Sequence, residues 1–410
     1  MAESLMTSLA ERGHQVDVVT HFPMKKPIPN YTEISVAGSL ETVVNNMFAE
    51  NITNFNANNM QLLIQAAGIK TCNLLGLPKI QQLIKNPPND PPYDVVIVES
   101  KMVKEHFGID ATIDELHRDL ALILVNSHHS VNGVKPYSTG TIEVGGLHIK
   151  ENGDPLTPEM QKWLDGSKDG CIFFTFGSMV RIESFPKPLM ETFYKVFEKI
   201  APVRVLMKVA KKEDLPPGLP KNVMVQSWFP QVSVFKHKNT KAFMTHGGLM
   251  GVHEAIYFGI PMIGIPLFGD QPTNLKNVAN KNLGVNLGSV QNVTEETLTN
   301  AINLVLHDDT YKNSMRKLSE IYKDRPTSAL KTAVFWVEYV ARHGNVLQSA
   351  AIHLNWLQLN LIDVYGLLLG CAAVALYAVY YVLRTLKNQL IGCKSCSKKS
   401  SKPSQTKKNK

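Results

Sequence analysis

Two doubly wound α/β domains followed by one C-terminal membrane helix is the architecture this sequence predicts, and three observations carry it. Short apolar or β-branched runs alternate with helical stretches over residues 1–144, and the alternation returns over 169–345. Between the two series, 145–168 is rich in Gly, Pro and charge and reads as an interdomain linker. Residues 364–383 then run without a charge for twenty positions, the length at which a helix rises through the roughly 30 Å hydrocarbon layer.

The 410 residues are 44% hydrophobic and 19% charged, a globular mixture that excludes disordered, collagenous and disulfide-scaffold classes. The length suits two or three domains. The net charge of +8 is a local property, because residues 384–410 hold nine Lys/Arg and no acid. The rest has 34 basic against 35 acidic residues, so a nucleic-acid surface is not expected. Five scattered cysteines, Cys72, Cys171, Cys371, Cys393 and Cys396, do not make a disulfide framework.

In the first series, Leu5, Met6 and Leu9 give the opening helix one apolar face, and Gly13 suits the position past its end. Strands are predicted at 16–22 and 31–37 from their β-branched content. Residues 40–85 read as mainly helical, and 86–92 (NPPNDPP) as a stiff connector. The apolar runs 95–98 and 120–125 resemble buried strands of a parallel sheet. In the second series the strand candidates are 171–176, 203–209, 223–226, 242–245 and 262–266. Helix follows over 294–344, with Leu298, Ile302 and Leu306 at helical spacing.

The predicted span is framed by Trp356 on one side and Tyr380, Tyr381 and Arg384 on the other, as at a membrane interface. The basic tail predicts 384–410 in the cytosol and the preceding body, including the juxtamembrane segment 346–363, on the lumenal or extracellular side. Lys407 and Lys408 stand four and three from the end, like a dilysine retrieval signal for the endoplasmic reticulum or simply lysines of a solvated tail. Cys393 and Cys396 suit palmitoylation or free thiols, and lack the second ligand pair that zinc needs. Asn30, Asn51 and Asn292 head glycosylation sequons. The first thirteen residues lack a signal peptide's basic, apolar and small-residue regions, so an upstream segment is expected.

The chemistry concentrates between Trp228 and Gln271. An apolar strand ends in Thr245-His246, two glycines permit close backbone approach, and a helix begins. A helix start behind glycines is an anion site, to which His246 adds a donor. Glu254, farther along that helix, suits a ribose diol, and Trp228 offers a flat face to a base. Asp270 and Gln271 are expected at the end of the next strand, in the same crevice. Singly, Trp228 reads as core, His246 as a satisfied core histidine and Asp270 as a cap. Their spacing together favours a nucleotide-sugar site. His14, His21, His128 and His129 lack such support and read as structural or surface groups.

This stretch resembles the donor signature of the UDP-glycosyltransferases, in particular the animal membrane-bound UDP-glucuronosyltransferases. The likeness extends to EVGGLHI at 143–149, FFTFGSM at 173–179, KDRP at 323–326 and AVFWVEYVARH at 333–343, and covers about residues 140–385. It implies a GT-B fold: two Rossmann-like domains, an acceptor-side one (1–144) and a UDP-sugar donor domain (169–345). The resemblance further implies that Trp228 stacks on uracil while the Phe229 backbone bonds its edge. Gln231 and Glu254 would hold the ribose. His246, the Gly247, Gly248 and Gly251 amides and Ser178 would take the diphosphate, and Asp270 and Gln271 the sugar. Many relatives carry Asn where Met250 stands, so one side-chain phosphate donor is missing.

Transfer from UDP with inversion needs a base on the acceptor hydroxyl. The resemblance implies a His after the family's first strand for this role, and the segment carrying it is expected upstream of the helix that opens this sequence. Glu99 stands where the family's supporting acid lies, and equally suits a surface charge at a strand end. Only about twenty residues part Glu99 from the 120–130 segment, so a shortened acceptor region is expected. No Asp-x-Asp pair is present, and neither metal nor cofactor is expected. Two functions follow. One is transfer of a glucosyl or glucuronosyl group from UDP-glucose or UDP-glucuronate to a small lipophilic acceptor. The other is a non-catalytic, membrane-anchored UDP-sugar binder that pairs with related transferases, or a truncated isoform lacking the catalytic His.

Overall fold

The computed structural model describes residues 1–24, 26–39, 45, 47–50, 74–86, 88, 92–97 and 120–397, with side chains to 389. Two compact units emerge, Met1–Gln348 and Ser349–Lys410.

The first unit is organised by a six-stranded sheet, every neighbouring pair of which is parallel. Its strands are β5 (Cys171–Thr175), β6 (Arg204–Lys208), β7 (Val223–Gln226), β8 (Thr240–Thr245), β9 (Met262–Gly264) and β10 (Gly284–Asn286), in the order β10-β9-β8-β5-β6-β7. Strand order reverses between β5 and β8, so a crevice opens beyond their carboxyl ends. β5, CIFFT, is buried at every position, as expected of a central strand covered on both faces. Phe173 and Phe174 point to opposite faces. Phe173 stacks on Phe243 at 5.7 Å, whereas Phe174 packs on Phe193 and Phe176.

Local chemistry explains the crossing helices. α4 (Pro158–Asp165) starts on Thr157, whose hydroxyl accepts from the Met160 amide, with Pro at its first position. α5 (Lys187–Lys199) buries Met190, Phe193 and Phe197 on one stripe. α6 (Gln231–Lys236) is short. α7 (Leu249–Phe258) stops at Gly259, which adopts the left-handed conformation at φ 73°. α8 (Gln271–Asn280), α9 (Glu295–His307) and α10 (Asp309–Lys323) follow. A capping box between Thr294 and Thr297 opens α9.

The amino-terminal part has α1 (Ala2–Glu11), β1 (Val16–Thr20) parallel to β2 (Tyr31–Ser35), α2 (Pro78–Lys85), and β3 (Ile123–Val125) parallel to β4 (Thr141–Glu143), with α3 (His129–Asn132) between the last two strands. α11 (Ala329–His343) returns to it: Ala333, Val334 and Val337 share a core with Leu5 and Leu9. Arg12 donates from both Nε and Nη2 to the Glu338 carboxylate at 2.6 and 3.0 Å.

Several sequence expectations are corrected here. Residues 95–97 form no strand, and Val96 is 73% exposed; an apolar run alone did not secure burial. The 120–125 run yields strand only at Ile123–Val125, with Leu120 and Ile123 exposed. The segment 145–168, read as a linker, carries α4. Its Met160 and Leu164 belong to the sheet's core, and Val144 just before it is fully buried. Most of 40–85, and all of 98–119 with Glu99, lie outside the described residues.

In the second unit, α12 (Trp356–Leu359) precedes α13 (Ile362–Ser397). The stretch Ile362–Gln389 is long and apolar enough to cross a membrane and is unburied.

Candidate functional site

β5 and β8 end alike, and that pairing builds the crevice. Thr175 and Thr245 are register partners on the two adjacent strands. The Thr175 hydroxyl accepts the Gly177 amide at 3.0 Å, and the Thr245 hydroxyl accepts the Gly247 amide at 3.2 Å. Each strand is thus turned sharply out of the sheet, with Gly177 at φ 79° and Gly247 at φ 84°. A side chain on Gly247 would strike Leu275. Because its amide is committed to Thr245, Gly247 supplies shape here, and the donors come from the residues after it.

Those donors are the first-turn amides of α7, which have no intrahelical acceptor and no side-chain cap. His246 sits between the two loops: a Cβ on Gly177 or on Gly248 would each come within 2.9 Å of its Cε1. Burial pushes its pKa down to about 4, against the pull of Asp270 and with the help of Lys208. The imidazole is therefore neutral at pH 7 and offers one N–H.

Gln231 and Glu254 are brought together directly, Gln231 Nε2 donating to Glu254 Oε2 at 2.5 Å. Gly251 faces this pair, its Cβ position lying 3.6 Å from Gln231 Nε2. Trp228, beyond the carboxyl end of β7, is 59% exposed, so its ring face is available and the core alternative fails. Phe229 is the reverse: its ring is buried edge-on against Phe173 at 5.6 Å. Met250 is exposed on the first turn of α7. Ser178 lies on the β5 loop, and its carbonyl accepts from the Asn45 amide at 2.9 Å.

Asp270 and Gln271 do not end β9, as the sequence predicted. The strand stops at Gly264, and the two residues open α8 after a turn through Gly269 at φ 65°. Asp270 accepts from Asn274 Nδ2 at 2.7 Å, and the same amide donates to the Gly247 carbonyl at 3.0 Å. Gln271 is buried, and its Oε1 accepts the Leu267 and Phe268 amides at 2.9 Å each. Its carbonyl is thereby spent on the loop, and only its NH₂ remains for a ligand.

Three groups escaped the sequence reading. Asn274 is one; its i+4 spacing from Asp270 was the available signal. Lys208 is the second, a buried lysine closing the apolar strand β6. Its Nζ donates to Asn45 Oδ1 at 2.6 Å and to the Gly177 carbonyl at 2.9 Å. Burial lowers its pKa, and Glu183 opposes the shift. A cation is thereby fixed beneath the β5 loop. His148, within the GGLH that opens the 145–168 segment, is the third, with Nε2 at 3.2 Å from Glu254 Oε1. His128 behaves as structural, its ring accepting the Ser130 amide at 3.2 Å to start α3. Among the described residues no group of acids, histidines and cysteines could hold a metal ion.

A doubly wound sheet with a crevice at its switch point, an α/β amino-terminal region and a C-terminal apolar helix place the chain among glycosyltransferases of GT-B type. The crystal structure of the glycotransferase of kitacinnamycin shares that fold, with a TM-score of 0.50 at 18% identity, over 82% of this chain and 94% of that one. The family model for UDP-glucoronosyl and UDP-glucosyl transferase matches residues 93–402, and the chain belongs to that family. UDP-glucosyltransferase 2 of Dactylopius coccus is 33% identical over 470 residues, 94% of this chain and 90% of its own. UDP-glucuronosyltransferase 2B14 of Oryctolagus cuniculus is 35% identical and 2B10 of Homo sapiens 36%, each over 67% of this chain. The chain spans about half the length of these two mammalian relatives, 51% in each case. The match with the insect enzyme runs over 470 aligned positions but takes in 94% of the 410 residues here, about 385, so about 85 positions within it have no counterpart in this chain.

Proposed function

We propose that the chain binds a UDP-sugar, UDP-glucose or UDP-glucuronate, at the carboxyl edge of the six-stranded sheet and passes the hexosyl group to a hydroxyl of a small lipophilic acceptor. The observation that carries this reading is the convergence, at the β5/β8 switch point, of an uncapped helix start, a neutral buried imidazole and a fixed ammonium. In this reading Trp228 stacks on uracil and the Phe229 backbone meets its edge. Glu254 and Gln231 take the ribose diol. The α7 amides from Gly248 to Gly251, His246 and Ser178 bind the diphosphate. Asp270 and the Gln271 amide face the sugar.

Transfer with inversion builds negative charge on the departing UDP. Preorganised donors aimed at that charge lower the barrier, and a single such donor is typically worth about 10²–10³ in rate. His246 supplies an N–H and the α7 terminus a positive dipole end. These groups can take the place of a metal, and we propose that the reaction uses neither metal nor cofactor. Glu99 is proposed as the acid supporting the acceptor-side base. The body would lie on the lumenal face of the endoplasmic reticulum and the basic tail in the cytosol, with α13 spanning the membrane.

The positions missing within the insect match favour a second reading, a UDP-sugar binder without turnover that associates with related transferases. Purified full chain, assayed with both UDP-sugars against a panel of phenols alongside calorimetric UDP binding, separates the two. Product with UDP binding supports transfer. Binding without product supports the second reading, and no binding refutes both.

A further inference from the structure

We infer that His148 is a positioning residue for Glu254 and sets the donor site's preference for ribose over 2′-deoxyribose, an inference that rests on the proposed donor site. Its imidazole side chain is 6% exposed, with Nε2 standing 3.2 Å from Glu254 Oε1. Among the described residues no well-aligned hydrogen bond reaches either ring nitrogen, although leaving a buried polar atom unpaired is costly. Gln231 holds the other carboxylate oxygen. Each oxygen of Glu254 therefore has one protein neighbour and a lone pair left over, the pattern that suits two vicinal hydroxyls. In its Nε2–H tautomer the imidazole attracts the carboxylate, and a slight turn of the ring on ligand binding completes the bond, as site hydrogen bonds commonly tighten in the complex.

The backbone that carries His148 is packed closely against α7. Arg325 Nη2 donates to the Gly145 carbonyl at 3.0 Å. A Cβ on Gly145 would fall 2.6 Å from the Ser127 carbonyl and 2.7 Å from His253 Cε1, and one on Gly146 would strike the Tyr322 hydroxyl. Only the glycine pair allows the crossing to lie this close to α7, and His148 follows two residues later. The side chain is thus delivered to Glu254 from outside the donor sheet.

The test compares calorimetric binding of UDP and 2′-deoxy-UDP to the full chain in detergent. Wild type prefers UDP by about tenfold or more, the usual value of a hydroxyl bonded to a carboxylate. His148→Leu keeps bulk without a donor and brings the preference to within about threefold of unity, mainly by weakening UDP, as expected when a charge-assisted bond is lost. His148→Gln, whose amide N–H reaches the same place, retains the preference. Should His148→Leu fail to fold, His148→Asn, whose amide stops short of Glu254, carries the same expectation. A purely structural role weakens both nucleotides equally, and that result, or an unchanged preference, overturns the inference while leaving the donor site standing. No UDP binding by the wild type overturns the donor site and the inference with it.

Discussion

Gly248→Ala probes the diphosphate end of the crevice with one methyl group. At this position φ is −58°, so the backbone accepts alanine without left-handed strain. The new Cβ would lie 2.9 Å from His246 Cε1 and 3.0 Å from Nε2. An ordinary contact needs about 3.4 Å or more, so the imidazole must retreat by roughly half an ångström, enough to spoil a near-linear hydrogen bond. Loss of one hydrogen bond to a charged phosphate costs about 1.5–3 kcal/mol, a fall of roughly 10- to 150-fold in UDP affinity. The weaker N-cap adds about 1 kcal/mol of lost stability. Calorimetry with UDP and with uridine reads the result. The loss should appear with UDP and not with uridine, which lacks the diphosphate. Equal weakening of both, or of neither, would refute the placement of His246 against phosphate.

Other perturbations have separable signatures. Trp228→Ala removes an exposed ring, so thermal stability should stay within about 0.5 kcal/mol; UDP and uridine affinity should both fall about tenfold, since stacking on a base is worth roughly 1–3 kcal/mol. Lys208→Met leaves the Gly177 carbonyl and Asn45 without their donor; a loss of about 2–3 kcal/mol is expected in urea unfolding, together with weaker UDP binding. His128 and His253, with pKa values pushed down to about 3 by burial, and His246, down to about 4, stay neutral in the folded chain well below their ordinary 6.5. The unfolded chain then binds more protons, so stability is full above pH 6.5 and falls as the pH drops toward 4, by up to about 1.4 kcal/mol per pH unit for each such His. Melting curves between pH 7 and 4 should show that slope, reduced by about one proton's worth in His253→Phe; an identical slope in that variant would remove His253 from the account.

What the sequence made legible follows from how each part is stabilised. The donor sheet announces itself because both faces are covered, so runs such as CIFFT and the Phe243–Met244 pair are apolar throughout and are punctuated by glycines where the chain turns. His246, Glu254 and Trp228 stood out because one local spacing places them on a strand end, a helix and a neighbouring loop. The amino-terminal strands are short and half-exposed, so Ile123 carries apolar character without burial, and Val96 is equally exposed outside any strand. Position along the loop before α8 was misjudged because Gly269, and not the end of β9, sets where Asp270 falls. Lys208 and His148 act through partners that are close only after folding: Asn45 lies 163 positions from Lys208, and no spacing rule reaches that far; Asn274 pairs with Asp270 four positions away, but its second partner, the Gly247 carbonyl, is 27 away. The commitment of the Gly247 amide to Thr245 was equally hidden, since it depends on a rotamer.

The most direct test of the central claim is a structure of the full chain with UDP bound. The diphosphate should lie over the first turn of α7 within hydrogen-bonding distance of His246, the ribose against Glu254 and Gln231, and uracil flat on Trp228. A nucleotide seated anywhere else, or a first turn of α7 that no ligand oxygen approaches, would contradict it.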